Sequence, residues 1–166
     1  MIYTVTLNPA LDKTVEIPGM ALDTVNRITE MRTDPGGKGI NVSKVIAKLG
    51  GESCAAGILG GESGKMLEKL LEGEPFATRF RFVEGQTRTN IKIIDREGHT
   101  NTDINEPGLT VTDADLDALL HDLLAEVHAG DIVVLAGSLP NLFFGHIILI
   151  FEELMARFFS PAPDAQ

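Results

Sequence analysis

A single cysteine, Cys54, stands among the 166 residues. One thiol closes no intramolecular disulfide and builds no cysteine-rich zinc site. The four histidines are scattered, with no H-x-x-x-H or H-x-H pair, so metal-ligand spacing is missing as well. Positive charge is scarce: 14 Lys and Arg against 24 Asp and Glu leave a formal charge of −10. A field of that sign repels nucleic acid and anionic membranes, so neither is expected as a partner. Any anionic ligand has to be held by a local cluster of donors. Long apolar runs are lacking too. Residues 1–8 are too short for a signal-peptide core, and Asp12 and Glu16 follow soon after. Residues 147–151 fall far short of a bilayer span. The expectation is a soluble, cytoplasmic protein.

Apolar residues nevertheless make up 43% of the chain, enough for a sizeable core, and the length suits one domain or a piece of one. Residues 2–7 are rich in β-branched side chains and stop at Asn8-Pro9, which predicts a strand ended by a turn. Residues 14–17 and 25–29 predict two short antiparallel strands, and residues 35–39 a loop. Apolar residues at Val42, Val45, Ile46 and Leu49 predict a helix over 41–49, ended by Gly50-Gly51. A strand at 53–59, a helix at 63–71 and a short strand at 80–83 follow. Residues 88–95 and 100–104 predict a hairpin turned by Arg96-Glu97-Gly98-His99. Leu116, Leu119, Leu120, Leu123, Leu124 and Val127 form one stripe of a helix over 113–128, capped by Thr112 with Asp115 at the third position. Residues 131–136 carry five successive apolar residues, the pattern of a central parallel strand covered on both faces, but the strands that would flank it are expected to be missing, which leaves an unpaired apolar edge that favours association.

This alternation predicts an α/β domain with a parallel sheet flanked by helices. The segments at about 14–29 and 88–104 break the rhythm and are expected outside the main sheet, as a small antiparallel flap. After Pro140 the texture changes: Phe143, Phe144, Phe151, Phe158 and Phe159 are five of the eight phenylalanines. Residues 141–166 are expected to be a divergent Phe-rich helix with a Pro/Ala tail, the product of a truncation or a frame shift near Asn141.

Gly36-Gly37-Lys38-Gly39 opens directly onto a helix. Glycines let a ligand approach the backbone, and the first-turn N–H groups point at it. Lys38 adds a cation and Asn41 a donor and an acceptor, a combination suited to an anionic, hydroxyl-rich small molecule. An ordinary glycine turn before a helix reads equally well from the glycines alone. The dinucleotide fingerprint is absent, because Val42 stands where its third Gly belongs. Gly60-Gly61-Glu62-Ser63-Gly64-Lys65 is no Walker loop, because Leu59 and Met66 occupy the Gly and Ser/Thr positions; it predicts a strand-to-helix turn.

Gly36-Gly37-Lys38-Gly39-Ile40-Asn41-Val42-Ser43, with Gly50 and Gly60 at set distances, resembles the N-terminal signature of the PfkB-type sugar kinases of the ribokinase-like superfamily. Asn8-Pro9-Ala10-Leu11-Asp12, Thr87-Arg88-Thr89-Asn90, Asn105-Glu106-Pro107-Gly108 and Ala136-Gly137-Ser138-Leu139-Pro140 match in order, so the resemblance runs over residues 1–140. The Pro-Gly-Gly-Lys-Gly form resembles the bacterial 1-phosphofructokinase and tagatose-6-phosphate kinase branch. The resemblance implies a ribokinase-like fold with a β lid and an ATP- and Mg-dependent phosphorylation of a ketohexose phosphate. Fructose 1-phosphate leads, with tagatose 6-phosphate and fructose 6-phosphate still open. Asp12 would accept bonds from sugar hydroxyls, and Gly36, Gly37 and Asn41 would hold others. Lys38 and Arg88 would hold the phosphate. Ser138 lies where α/β sheets bind ligands, just beyond a strand's carboxyl end. Arg27 would reach the phosphate of a partner subunit in a homodimer formed through the lid, and Glu106 is a further candidate. The family's catalytic base and anion hole sit on a later Gly-Ala-Gly-Asp motif that this sequence does not reach. Ala129-Gly130-Asp131 is a lookalike at a helix's end, where the polarity is wrong for a phosphoryl group. The chain alone is therefore expected to bind the sugar phosphate, to lack catalytic residues and a nucleotide site, and to be inactive: a non-catalytic binding fragment or a gene remnant.

Overall fold

The computed structural model describes residues 1–140. Two four-stranded sheets share them. The main sheet has the order β5-β4-β1-β8, made of β1 (Ile2–Thr6), β4 (Ser53–Gly60), β5 (Ala77–Val83) and β8 (Ile132–Leu135), all parallel. Its helices are α1 (Lys38–Lys48), α2 (Gly61–Leu70) and α3 (Asp113–Glu126). Every residue of β4 is buried, as a parallel strand covered on both faces must be. One core cluster packs α3 leucines 116, 119 and 123 on Tyr3, Val5 and Ile58. A second joins Leu11 and Ile40 to Leu59, Leu67 and Leu71, and so ties the second sheet to the first through α1 and α2. No described helix is long and apolar enough to cross a membrane.

The second sheet is the expected flap. It has the order β3-β2-β6-β7, from β2 (Ala10–Ile17), β3 (Glu30–Gly36), β6 (Arg88–Asp95) and β7 (Thr100–Asn105). Its outer pairs are antiparallel, as expected of two hairpins, but its central pair β2·β6 runs parallel because the hairpins join side by side. Residues 25–29 are not a strand. They belong to the exposed connection 18–29, and the returning strand begins at Glu30. The polar stretch Glu30–Gly36 reads poorly as a strand by itself; pairing with β2 along its whole length makes it one.

Helix α1 starts at Lys38, three residues before the first residue of the predicted helix, and absorbs the end of the predicted loop. It ends in a Schellman motif, with Gly51 N–H on Ile46 O at 2.9 Å and Gly50 N–H on Ala47 O at 3.0 Å. The Gly60-Gly61 step is a strand-to-helix turn, and Lys65 pairs with Glu62 at 2.7 Å. The capping box of α3 is formed by Thr112 and Asp115, although the helix stops at Glu126 rather than at 128. Strand β8 presents an apolar edge, as expected. It pairs with β1 on one side, and among the described residues nothing pairs with its other edge; Ile132 and Leu135 are 56% and 44% exposed. The expectations for 141–166 lie outside the described residues.

Candidate functional site

The lid's period of two decides the site. Neighbouring strands put Asp12 opposite both Asp34 and Asn90, and Ala10 opposite both Gly36 and Arg88. Asn90 in turn faces Asn105, and Lys92 faces Asp103. Alternate side chains share a face, so one face of the lid is polar across all four strands. Between that face and α1 lies a cleft of about 540 Å³, lined among others by Asp12, Asp34, Asn41, Lys44, Asn90 and Lys92. Four cations (Lys13, Arg32, Lys44, Lys92) and three carboxylates (Asp12, Asp34, Asp103) line it. This balance is far less negative than that of the whole chain.

Asp12 is half-buried and accepts a bond from Asn90 Nδ2 at 2.9 Å. Gly36 abuts the same carboxylate so closely that a Cβ there would overlap it. Gly37, the N-cap of α1, has φ 140°, a conformation L side chains rarely adopt. The opening turn of α1 thus needs its glycines. It leaves Lys38 exposed at the first helical position and places Asn41 on the cleft wall.

A second group gathers beyond the carboxyl ends of β1 and β8. Arg88 Nη2 donates to Asn8 O at 3.2 Å and to Ser138 Oγ at 3.4 Å. Asn8 Nδ2 donates to Ser138 Oγ at 3.3 Å and to Leu139 O at 3.2 Å. Arg88 Nε is buried with no partner among the described residues. Gly137 brings this loop against Lys38, whose Cβ a side chain at 137 would touch. Arg88 and Asn90 lie two apart on one strand, about 7 Å, so the two groups adjoin. A guanidinium, an ammonium, a hydroxyl and an amide beside a carboxylate-and-amide cleft can hold an anion at one end and hydroxyls at the other.

The structure therefore brings together Asp12, Gly36, Gly37, Lys38, Asn41, Arg88 and Ser138. It does not bring Arg27 to them. Arg27 sits in the exposed connection at the far end of the lid, beyond Glu16, about 13 Å along the strand from Asp12. Glu106 accepts the backbone N–H of Thr89 at 2.8 Å and so anchors β6 next to Arg88. Asp131 lies at the amino end of β8, away from the site. Its carboxylate takes the terminal ammonium of Met1 at 2.8 Å and His128 N–H at 2.9 Å, and the ammonium bond above all holds its pKa below the usual carboxylate value. Cys54 is buried, which pushes its thiol pKa up. Among the described residues no group of three His, Cys, Asp or Glu is placed to hold a metal. The residue reading missed Asn90, Asn8 and Lys92 as site residues. The signal for Asn90 and Lys92 was available: both follow Arg88 at steps of two in a predicted strand.

Residues 5–144 match the model of the pfkB family of carbohydrate kinases. The chain is 40% identical over 140 residues to a 1-phosphofructokinase of Rhodobacter capsulatus, covering 84% of this chain and 44% of that relative. Its fold is similar to the crystal structure of phosphofructokinase-2 from Escherichia coli in complex with fructose-6-phosphate, with a TM-score of 0.88 at 29% identity, covering 95% of this chain and 52% of the other. It is also similar to that of a possible 1-phosphofructokinase from Thermotoga maritima, with a TM-score of 0.80 at 40% identity, covering 95% and 51%. The chain thus spans about half the length of the proteins it matches.

Proposed function

The chain belongs to the pfkB family of carbohydrate kinases, and from that premise we propose that it supplies the acceptor side of a phosphofructokinase-type reaction. The acceptor is a ketohexose phosphate, with fructose 1-phosphate leading because of the relatives named 1-phosphofructokinase. The complete reaction transfers a phosphoryl group from Mg-ATP to the 6-hydroxyl. ATP and Mg²⁺ belong to the full-length family, and the residues described act on the acceptor.

The residues present bind and orient. Arg88, Lys38 and Ser138 hold the phosphate already on the sugar with charge-assisted donors. Asp12 accepts hydroxyl protons, Asn41 adds a donor and an acceptor, and the N–H groups at the start of α1 add their partial positive charge. The observation that carries this reading is the meeting of Arg88 with Ser138 in the loop beyond β8, next to Asp12 on the same lid face. A second reading, binding without turnover, is favoured by Asp131. The carboxylate of the Ala129-Gly130-Asp131 lookalike is engaged by Met1 and His128 at the opposite end of the sheet.

The lid leaves Leu22, Val25 and Met31 exposed by 84%, 77% and 59%. We propose that a second copy covers them in a homodimer and that Arg27, in the same segment, serves the partner's phosphate. Titration calorimetry with fructose 1-phosphate tests the acceptor reading: the native chain gives saturable heat and Arg88→Ala removes it. Equal heat from both overturns the donor assignment. ADP release from Mg-ATP by the chain alone overturns the reading of binding without turnover.

A further inference from the structure

We propose that Asn90 is a positioning residue of this site, holding the Asp12 carboxylate in the rotamer that turns its free lone pairs to the cleft. The proposal rests on the acceptor-side reading above and assigns a role to a residue that reading does not use. Asn90 Nδ2 donates to Asp12 Oδ1 at 2.9 Å, across the parallel β2·β6 pair at matched register. On the other flank of Asp12, Gly36 closes off the carboxylate so tightly that no side chain fits. The carboxylate is thus pinned from both neighbouring strands.

The amide's other end supports the assignment. Asn90 Oδ1 is buried and has no hydrogen-bond partner among the described residues. A buried orphan acceptor is costly, and an apolar side chain of similar shape would avoid that cost. Turning the amide over does not relieve it, because that would set Oδ1 against Asp12 Oδ1, acceptor on acceptor. The orientation is therefore dictated by Asp12, and the residue retains an unsatisfied atom in order to keep the contact. A merely structural amide would be expected to bond both ends or to face solvent.

The test is a double-mutant cycle read by calorimetry with fructose 1-phosphate, each protein first checked for a cooperative thermal melt. Asn90→Ala binds about tenfold more weakly than native, the loss of one bond to a charged group. Asn90→Asp, which sets two carboxylates face to face, loses about a hundredfold. The swap Asp12→Asn with Asn90→Asp restores an amide–carboxylate pair with the partners exchanged, and it binds more tightly than either Asp12→Asn or Asn90→Asp alone. A swap weaker than both singles, or native affinity in Asn90→Ala, overturns the proposal. If Asn90→Ala does not fold, the near-isosteric cycle still decides. Binding that is lost in Arg88→Ala yet unchanged in every Asn90 variant overturns this inference alone. No binding by the native chain overturns it together with the acceptor reading.

Discussion

Two concavities of this molecule are built from opposite materials. The lid cleft, about 540 Å³, is walled by carboxylates, amides and cations from the four lid strands and α1. The groove between α3 and the β1/β8 edge, about 260 Å³, is lined almost wholly by leucine, valine and alanine, and Leu116, Leu119, Leu120 and Leu123 all face it. The second suits the packing of an apolar surface. Only the first offers the donors a sugar phosphate requires, and the two meet at Ser138, which lines the groove and also bonds Arg88. A polar site that costs folding energy can stand beside an apolar wall that supplies it.

That contrast predicts separable effects. The largest is on the apolar side. Leu116→Ala, at a residue 2% exposed, should lower stability by about 2–5 kcal/mol in chemical denaturation, while any molecules that remain folded bind the sugar phosphate with native affinity. An affinity change in the folded fraction would break the separation. Arg88→Ala comes next: it removes the sugar-phosphate heat in calorimetry, with little change in denaturation midpoint. Thr112→Ala removes the α3 cap and should cost about 1 kcal/mol in the same denaturation experiment, with binding unchanged.

Acid titration sharpens the comparison from a different direction. Asp95 at the distal end of the lid accepts backbone N–H bonds from Gly98 first and Met20 second, and these hold its pKa below the usual value. Asp115, bonded chiefly by the Thr112 hydroxyl, and Asp131, bonded chiefly by the terminal ammonium, are lowered likewise. A carboxylate whose folded pKa is depressed contributes stability above its unfolded value of about 3.9, and that contribution is lost as pH falls through the folded value. Thermal melts should therefore decline below about pH 4, and Asp95→Asn should flatten the decline. The smallest effect on stability is expected for Ile132→Lys, 56% exposed on the edge of β8 that is unpaired among the described residues. It should leave the melt nearly unchanged and reduce self-association in light scattering, since a charge blunts an unpaired strand edge.

Much of this was legible in the residues. The strand at 2–7, the buried strand at 53–59 and the capping box of α3 followed from local pattern, because each is set by burial period or by one side chain on one backbone amide. The glycine run was legible as a turn that opens a helix. What remained hidden was non-local. Glu30–Gly36 is a strand only through β2. The parallel β2·β6 pair joins segments more than seventy residues apart. Asn90 gains its meaning from Asp12, a neighbour no sequence spacing announces.

The central claim is that the polar cleft, and not the apolar groove, receives the sugar phosphate. Amide chemical-shift mapping of the chain titrated with fructose 1-phosphate tests it most directly. The account predicts saturable shifts at Asp12, Gly36 to Asn41, Arg88 to Asn90 and Ser138, with the leucines of α3 unmoved. Shifts centred on Leu116, Leu119 and Leu123, or none at Arg88 at saturating ligand, would contradict it.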